Sequence, residues 1–206
     1  MITTPDNDGP PVVPDPHGWV YRLLAPSADA AVLQFGDGGA QKWLANVHQA
    51  TTADRDGATD AQFDLVVMHH SLGGSATLAS AIDAAVRRLK PGGRLVLSGA
   101  NRLRAPDRAL TTAQGGVLRA TGWGYRRALA RAGLSAVALY FAHPPGGLPV
   151  YLVSSDRSSA RAFFRGASAS RHLARWSPRR VASAWLVEIN AMPWLQPDLV
   201  VVGDKC

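Results

Sequence analysis

Two adjacent histidines, His69 and His70, directly follow the apolar run FDLVVM at residues 63–68. An imidazole changes charge near neutral pH, so a histidine held at the end of a strand can act as general base on an acceptor hydroxyl or amine. The plain alternative is a pair of solvated loop histidines. A second group lies upstream in LQFGDGGAQ, where Gly36, Gly38 and Gly39 surround Asp37. Glycine has no Cβ, so backbone amides in such a turn can touch a ligand directly. The Asp37 carboxylate can pair with a cationic ligand group there or repel an anionic one. Asn101, in SGANRL, carries an amide that can bond a substrate or cap its own loop. Asp54 and Asp56, in TTADRDGATD, add carboxylates between these groups, with a solvated loop as the plain alternative.

Other chemistries lack their residues. His69 and His70 are neighbours that project differently, and no His or carboxylate follows them at helical ligand spacing, so no metal site is expected. His17, His48, His143 and His172 are scattered, and the lone cysteine, Cys206, excludes an intramolecular disulfide. A serine nucleophile elbow, a P-loop and a G-x-G-x-x-G dinucleotide turn are absent.

The elements that must position these residues read as alternating strands and helices. Residues 31–35 (AVLQF) form a buried strand running into the glycine turn, and helical residues are expected over 41–47. Residues 63–68 form the next strand. In SATLASAIDAAVRRLKPGG, Leu78, Ile82, Val86 and Leu89 recur on one helical face, and Pro91, Gly92 and Gly93 stop the helix. RLVLS at 94–98 is a third strand, parallel to the second because a helix separates them. YRRALARA at 125–132 predicts a helix with Tyr125 and Leu129 inward, Arg126, Arg127 and Arg131 outward, and Gly133 at its end. Residues 137–141 and 199–202 supply two more strands. Between them lies an insertion of about 143–197, in which Ser177 and Pro178 begin a helix presenting Val181, Trp185 and Ile189. The Pro- and Asp-rich stretch 1–17 buries too little apolar surface to order itself and is expected to be a tail ahead of one domain, 18–206. No apolar run approaches the roughly 20 residues of a membrane span, and the acidic start is unlike a secretory signal, so a cytoplasmic protein is expected.

This order of pieces, and especially FDLVVMHHSL followed by AVRRLKPGGRLVLSGANRL, resembles the class I S-adenosylmethionine (SAM) methyltransferases. YRRALARAGL and DLVVVGDK are similar to that family's last helix and antiparallel final strand. The resemblance covers roughly residues 19–141. It implies a Rossmann-like α/β fold with a mostly parallel sheet flanked by helices, an antiparallel last strand and a helical insertion before it. It also implies SAM as cofactor, with Gly36, Asp37, Gly38 and Gly39 near its methionine end and Asp54 and Asp64 as candidate cofactor residues. Catalysis would fall to His69 or His70, and substrate contact to Asn101.

Two departures stand out. The position before the turn that is commonly acidic in the family is Gln34, and only 28 residues run from Gly36 to Asp64, where the family usually fits two further strands and a helix. One βα unit is expected to be missing or reduced to an abbreviated strand over 48–52. The resemblance therefore supports three functions: a SAM-dependent methyltransferase acting on a small metabolite or biosynthetic intermediate, an inactive methyltransferase-like pseudoenzyme scaffold, or a non-SAM enzyme on the same fold.

Charge is polarised along the chain. Residues 1–86 hold three basic and ten acidic side chains, and residues 87–206 hold nineteen and five. Residues 157–180 carry seven arginines and no acid, interleaved with Phe163, Phe164, Leu173 and Trp176. This segment reads as a lid over the sheet edge or as a surface for an acidic protein partner. Nucleic-acid binding is not expected, because no zinc finger, aromatic RNA-binding signature or helix-turn-helix is present.

Overall fold

The computed structural model describes residues 24–27, 29–35, 46–49, 61–69, 77–102, 119–143, 151–169 and 198–206. The strands are β1 (Ala31–Phe35), β2 (Asn46–Gln49), β3 (Phe63–His69), β4 (Leu89–Asn101), β5 (Arg119–Ala120), β6 (Leu134–His143), β7 (Tyr151–Ser154) and β8 (Asp198–Lys205). The described helices are α1 (Leu78–Arg87), α2 (Gly122–Arg131) and α3 (Arg157–Ala169). The strands join in one sheet of order β2-β1-β3-β4-β8-β6-β7, with β5 paired to the end of β4. β2, β1, β3 and β4 are parallel to their neighbours, and β8 runs antiparallel to both β4 and β6. The mostly parallel Rossmann-like sheet with its antiparallel last strand is thus present.

Strand alternation divides the core. Leu33, Phe35, Val66, Met68, Leu95, Leu97, Leu199 and Val201 pack on one face against Ala81, Ile82 and Ala85 of α1, Tyr125 and Leu129 of α2 and Ala160 of α3. Val32, Leu65, Val67, Val96, Val200 and Val202 form the opposite layer, with Leu24 and Ala25 against it. Valine dominates that second layer, as expected for branched side chains on a pleated, buried surface.

α1 starts where Thr77 and Ser80 form a reciprocal cap: Thr77 Oγ1 accepts from the Ser80 amide at 3.1 Å, and Ser80 Oγ accepts from the Thr77 amide at 3.2 Å. Its end differs from expectation. The helix closes at Arg87 with Arg88 as cap, and Leu89, expected on the helical face, instead pairs with Phe63 as the first residue of β4. Lys205, brought alongside by β8, donates Nζ to the carbonyls of Val86 (3.0 Å) and Leu89 (2.6 Å), so tertiary partners supply what the helix end lacks. Residues 90–93 then bulge out of the ladder, since Phe63 faces Leu89 while Leu65 already faces Arg94. The two glycines serve different needs there. Gly92 takes φ +75°, and a Cβ on Gly93 would stand 2.9 Å from the Lys90 carbonyl oxygen, 3.1 Å from that of Phe63 and 3.2 Å from that of Asp64.

α2 begins three residues earlier than the periodic pattern at Tyr125, capped by Thr121 Oγ1 on the Gly124 amide (3.0 Å), and turns out through Gly133 at φ +80°. Tyr125 and Leu129 are fully buried and Arg126, Arg127 and Arg131 exposed, as expected. Arg94 ties the amino end of β4 to β8 and the chain before β1. Its Nε and Nη2 donate to the two Asp204 oxygens (2.6 and 3.2 Å), and its Nη1 donates to the Leu24 carbonyl (3.1 Å).

Three strand features depart from the sequence reading. A second strand is present beside β1, but it runs Asn46–Gln49 rather than 48–52, and it takes Asn46 and Val47 out of the expected helix over 41–47. Val47 packs on the second core layer, which favours the strand at that residue. The insertion contains an edge strand, β7, antiparallel to β6, before α3. β5 has no counterpart in the sequence reading. The rest of 41–45, the 1–17 tail and the helix expected from Ser177 lie outside the described residues. No helix among the described residues is long and apolar enough to cross a membrane.

Candidate functional site

Because β2, β1, β3 and β4 run the same way, their carboxyl ends share one edge of the sheet. Gln49, Phe35, His69 and Asn101 are the last residues of these strands. Phe35 lies opposite Met68, and His69 opposite Ser98. Open α/β sheets take ligands beyond this edge, since the connecting loops diverge there and leave a crevice. His69 is therefore brought to the ligand edge, whereas His70, Gly36, Asp37, Gly38, Gly39, Asp54 and Asp56 lie outside the described residues.

Asp64 is separated from this group. As the second residue of β3 it sits at the amino end, five residues or about 16 Å of extended strand from His69. Its carboxylate accepts from the Ala31 amide (2.9 Å) and from Lys90 Nζ (2.8 Å). The Lys90 ammonium, and after it the Ala31 amide, hold the Asp64 carboxyl below its ordinary pKa. Those partners make Asp64 a clasp between β1, β3 and the turn into β4. The structure does not bring it to the edge where a cofactor would lie, because strand direction opposes the two ends.

Asn101 does reach the edge but turns inward. It is 1% exposed, and its register partner Ala120 belongs to the core layer under α2. Next to it, the Tyr125 hydroxyl donates to the Ala100 carbonyl at 3.2 Å. Burial pushes the Tyr125 phenol well above its usual pKa, so it remains a neutral donor. The Tyr125 bond anchors the β4 terminus, and Asn101 lies buried beside it rather than on an exposed surface. Gln34 is likewise buried at 1% exposure, opposite Gln49 and Val67.

Sequence reasoning passed over two residues of this edge. Ser98, 4% exposed, is the register neighbour of His69. Arg119 arrives through β5. Ala100 faces Asp198 of β8 on one side and Arg119 on the other, so β5 lies on the side that β3 occupies two residues earlier. β5 continues the line of β3 beyond His69. Arg119 is exposed there, and its Nη2 donates to the Arg102 carbonyl at 3.4 Å. A two-residue strand carries no readable periodicity, so only pairing reveals it. Ser98 was readable as the last residue of RLVLS, but nothing in the sequence says that His69 is its neighbour. Among the described residues no group of three His, Cys, Asp or Glu is arranged to hold a metal.

Comparison with known proteins agrees with this architecture. A model of the methyltransferase domain matches residues 21–97. Among solved structures, the Haloferax volcanii complex between the Trm112 methyltransferase activator and a methyltransferase is similar at 14% identity and a TM-score of 0.50, over 93% of this chain and 90% of that one. A SAM-dependent methyltransferase of Thermotoga maritima is similar at 12% identity and a TM-score of 0.49, over 92% and 90%. Among curated proteins none matches the chain in sequence. The strand order and the antiparallel last strand are those of a Rossmann-like fold, and residues 21–97 are similar to the methyltransferase domain.

Proposed function

We propose that the protein is a SAM-dependent methyltransferase acting on a small metabolite or biosynthetic intermediate, with a cofactor site of low affinity. The observation that carries this reading is the shared carboxyl edge of four parallel strands, built by the same segment that matches the methyltransferase domain. β2 pairs parallel to β1 despite the short spacing from Gly36 to Asp64, which supports the reading.

The residues fit SAM in part. Gly36, Gly38 and Gly39 are the ones that would let backbone meet its methionine end, and Asp54 follows β2 where a ribose-holding acid is needed. Against these, the residue before the turn is a buried neutral amide, Gln34, and Asp64 is engaged with Lys90 and Ala31. Bound SAM would supply an electrophilic methyl group. The chain's own contribution is to orient the acceptor at the edge and to take its proton, the role assigned here to His69 with His70 as its neighbour. The Tyr125 bond to Ala100 holds the end of β4, beside the buried Asn101, in place for that encounter. Methyl transfer depends chiefly on in-line positioning, so a rigid strand end matters as much as the base.

Losing a charge-assisted hydrogen bond costs about 1.5–3 kcal/mol, so the neutral Gln34, together with a ribose contact weakened by the short segment from Gly36 to Asp64, would move a micromolar site toward millimolar. Titration calorimetry with SAM and S-adenosylhomocysteine tests this. Dissociation constants from roughly 0.1 to several mM are expected. Low-micromolar binding would refute the argument from Gln34 while keeping the methyltransferase reading. No binding of either compound at millimolar concentration would remove that reading and leave the scaffold, which the neutral Gln34 and the distant Asp64 favour.

A further inference from the structure

We propose that the outer face of α2, together with the first turns of α3, is a docking surface for an acidic protein segment that places an apolar side chain on Trp123. The two helices pack on the same face of the sheet, α2 through Tyr125 and Leu129 and α3 through Ala160. Arg126 Nη2 donates to Ser155 Oγ, just ahead of α3, at 3.4 Å, which links α2 to the start of α3. That surface exposes Arg126, Arg127 and Arg131 from α2 and Arg157 from α3, with Arg161 one turn further on. Neither helix contains an acid. The one acid beside them, Asp156, caps the start of α3, where Oδ1 accepts from Ser158 Oγ (2.6 Å) and from the Ser159 amide (2.8 Å), and a single carboxylate leaves the surface with a net positive charge. Beside it, an open concavity of about 680 Å³ is lined by Arg157, Ser158, Arg161 and Ala162.

Trp123 gives this surface an apolar point. It is 57% exposed, and it is the large hydrophobic side chain that the described residues leave in solvent. The Arg127 guanidinium lies over its ring, 4.9 Å from the centroid, which orients the indole and leaves its other face for a partner side chain. Tryptophan and arginine are the residue types that anchor protein interfaces, and a guanidinium matches a carboxylate with two parallel hydrogen bonds. The observations favour a protein over the other anionic partners. The apolar side of α2 is spent on the core, so the helix has no face to insert in a membrane. A single-stranded nucleic acid is held by a series of stacking aromatics along a groove, and among the described residues this surface exposes one large aromatic, Trp123.

The test uses the full chain and two labelled probes, a glutamate–tyrosine copolymer and poly-L-glutamate, followed by fluorescence anisotropy at low and physiological salt. The copolymer is expected to bind more tightly than poly-L-glutamate, and both to weaken as salt rises. Arg127→Glu with Arg131→Glu should weaken both probes by more than about tenfold. Trp123→Ala should abolish the copolymer's advantage while leaving poly-L-glutamate binding nearly unchanged. Each substituted side chain is exposed, so melting temperatures close to that of the parent chain should accompany these results. Absence of copolymer binding at low salt, or binding indifferent to both sets of substitutions, would overturn the proposal. So would tighter, arginine-dependent capture of poly-dT or of phosphatidylserine vesicles, which would assign the surface to nucleic acid or lipid. None of these readouts depends on SAM or on methyl transfer.

Discussion

Replacing Gly93 by alanine should damage the fold more than the same change at Gly92, although only Gly92 has a left-handed backbone. At Gly92 the cost is conformational: φ is +75° and nothing stands within 4 Å of the point a Cβ would occupy, so an alanine there meets about 1–2 kcal/mol of backbone strain and no clash. At Gly93 three carbonyl oxygens lie 2.9–3.2 Å from where the Cβ would be, and all three belong to backbone. They are fixed by the start of β3 and by the bulge between Phe63 and Leu65, so none can rotate away as a side chain would. Relief requires shifting the β3–β4 pairing itself, and forced backbone shifts in a packed region cost about 1–3 kcal/mol or more. For a domain of this size each kcal/mol moves the melting temperature by about 2–4 °C. Gly93→Ala should therefore melt roughly 2–12 °C lower by circular dichroism, toward the upper part of that range, and Gly92→Ala about 2–8 °C lower. The fall at Gly93 should also disturb the Lys90–Asp64 pair beside it. A Gly93→Ala chain that melts within about 1–2 °C of the parent, or above Gly92→Ala, would show that the turn yields and that the argument from carbonyl crowding is wrong.

Further outcomes follow from single contacts. Tyr125→Phe removes the donor to the buried Ala100 carbonyl and should cost about 1–3 kcal/mol, read as a shift in the urea midpoint with an unchanged slope. Asp64→Asn tests pH linkage. The folded carboxyl titrates below its unfolded value, so its contribution is full above the ordinary carboxylate range and disappears as pH falls through the folded value. The stability gap between parent and Asp64→Asn should be at most about 1 kcal/mol at pH 7, given the solvent around the pair, and should close below pH ~4. A gap that widened in acid would contradict the assignment. Ala136→Gly should be neutral to stabilising by up to about 1 kcal/mol, because Ala136 holds φ +47° at the irregularity in β6. A clear loss in its thermal melt would mean that the alanine side chain makes a contact worth more than that strain.

The sequence by itself determined the layered α/β class, since runs such as FDLVVM and DLVVV can only be buried between helices, and the apolar spacing of Tyr125 and Leu129 could only be a helix packed on them. It also identified His69 as a strand-end residue, because residue order within a strand dictates which end a side chain occupies. What the tertiary structure decided were the matters of pairing. Asp64 and His69 belong to one strand of seven residues, yet only the direction of β3 within the sheet, and the presence of Lys90 and Ala31 at its amino end, separate a structural clasp from a ligand edge. Leu89 fits the helical periodicity of α1 and leaves it because the Phe63 ladder and the Lys205 ammonium offer better partners. Residues 46–49 are too few to show a period, and β1 makes them a strand by supplying hydrogen bonds from the neighbouring chain segment. Arg119 entered the site in the same way, through two residues of pairing with β4. Local pattern records which side chains want burial, whereas hydrogen-bond partners more than a hundred residues distant, such as Asp204 for Arg94, exist only once the chain has folded.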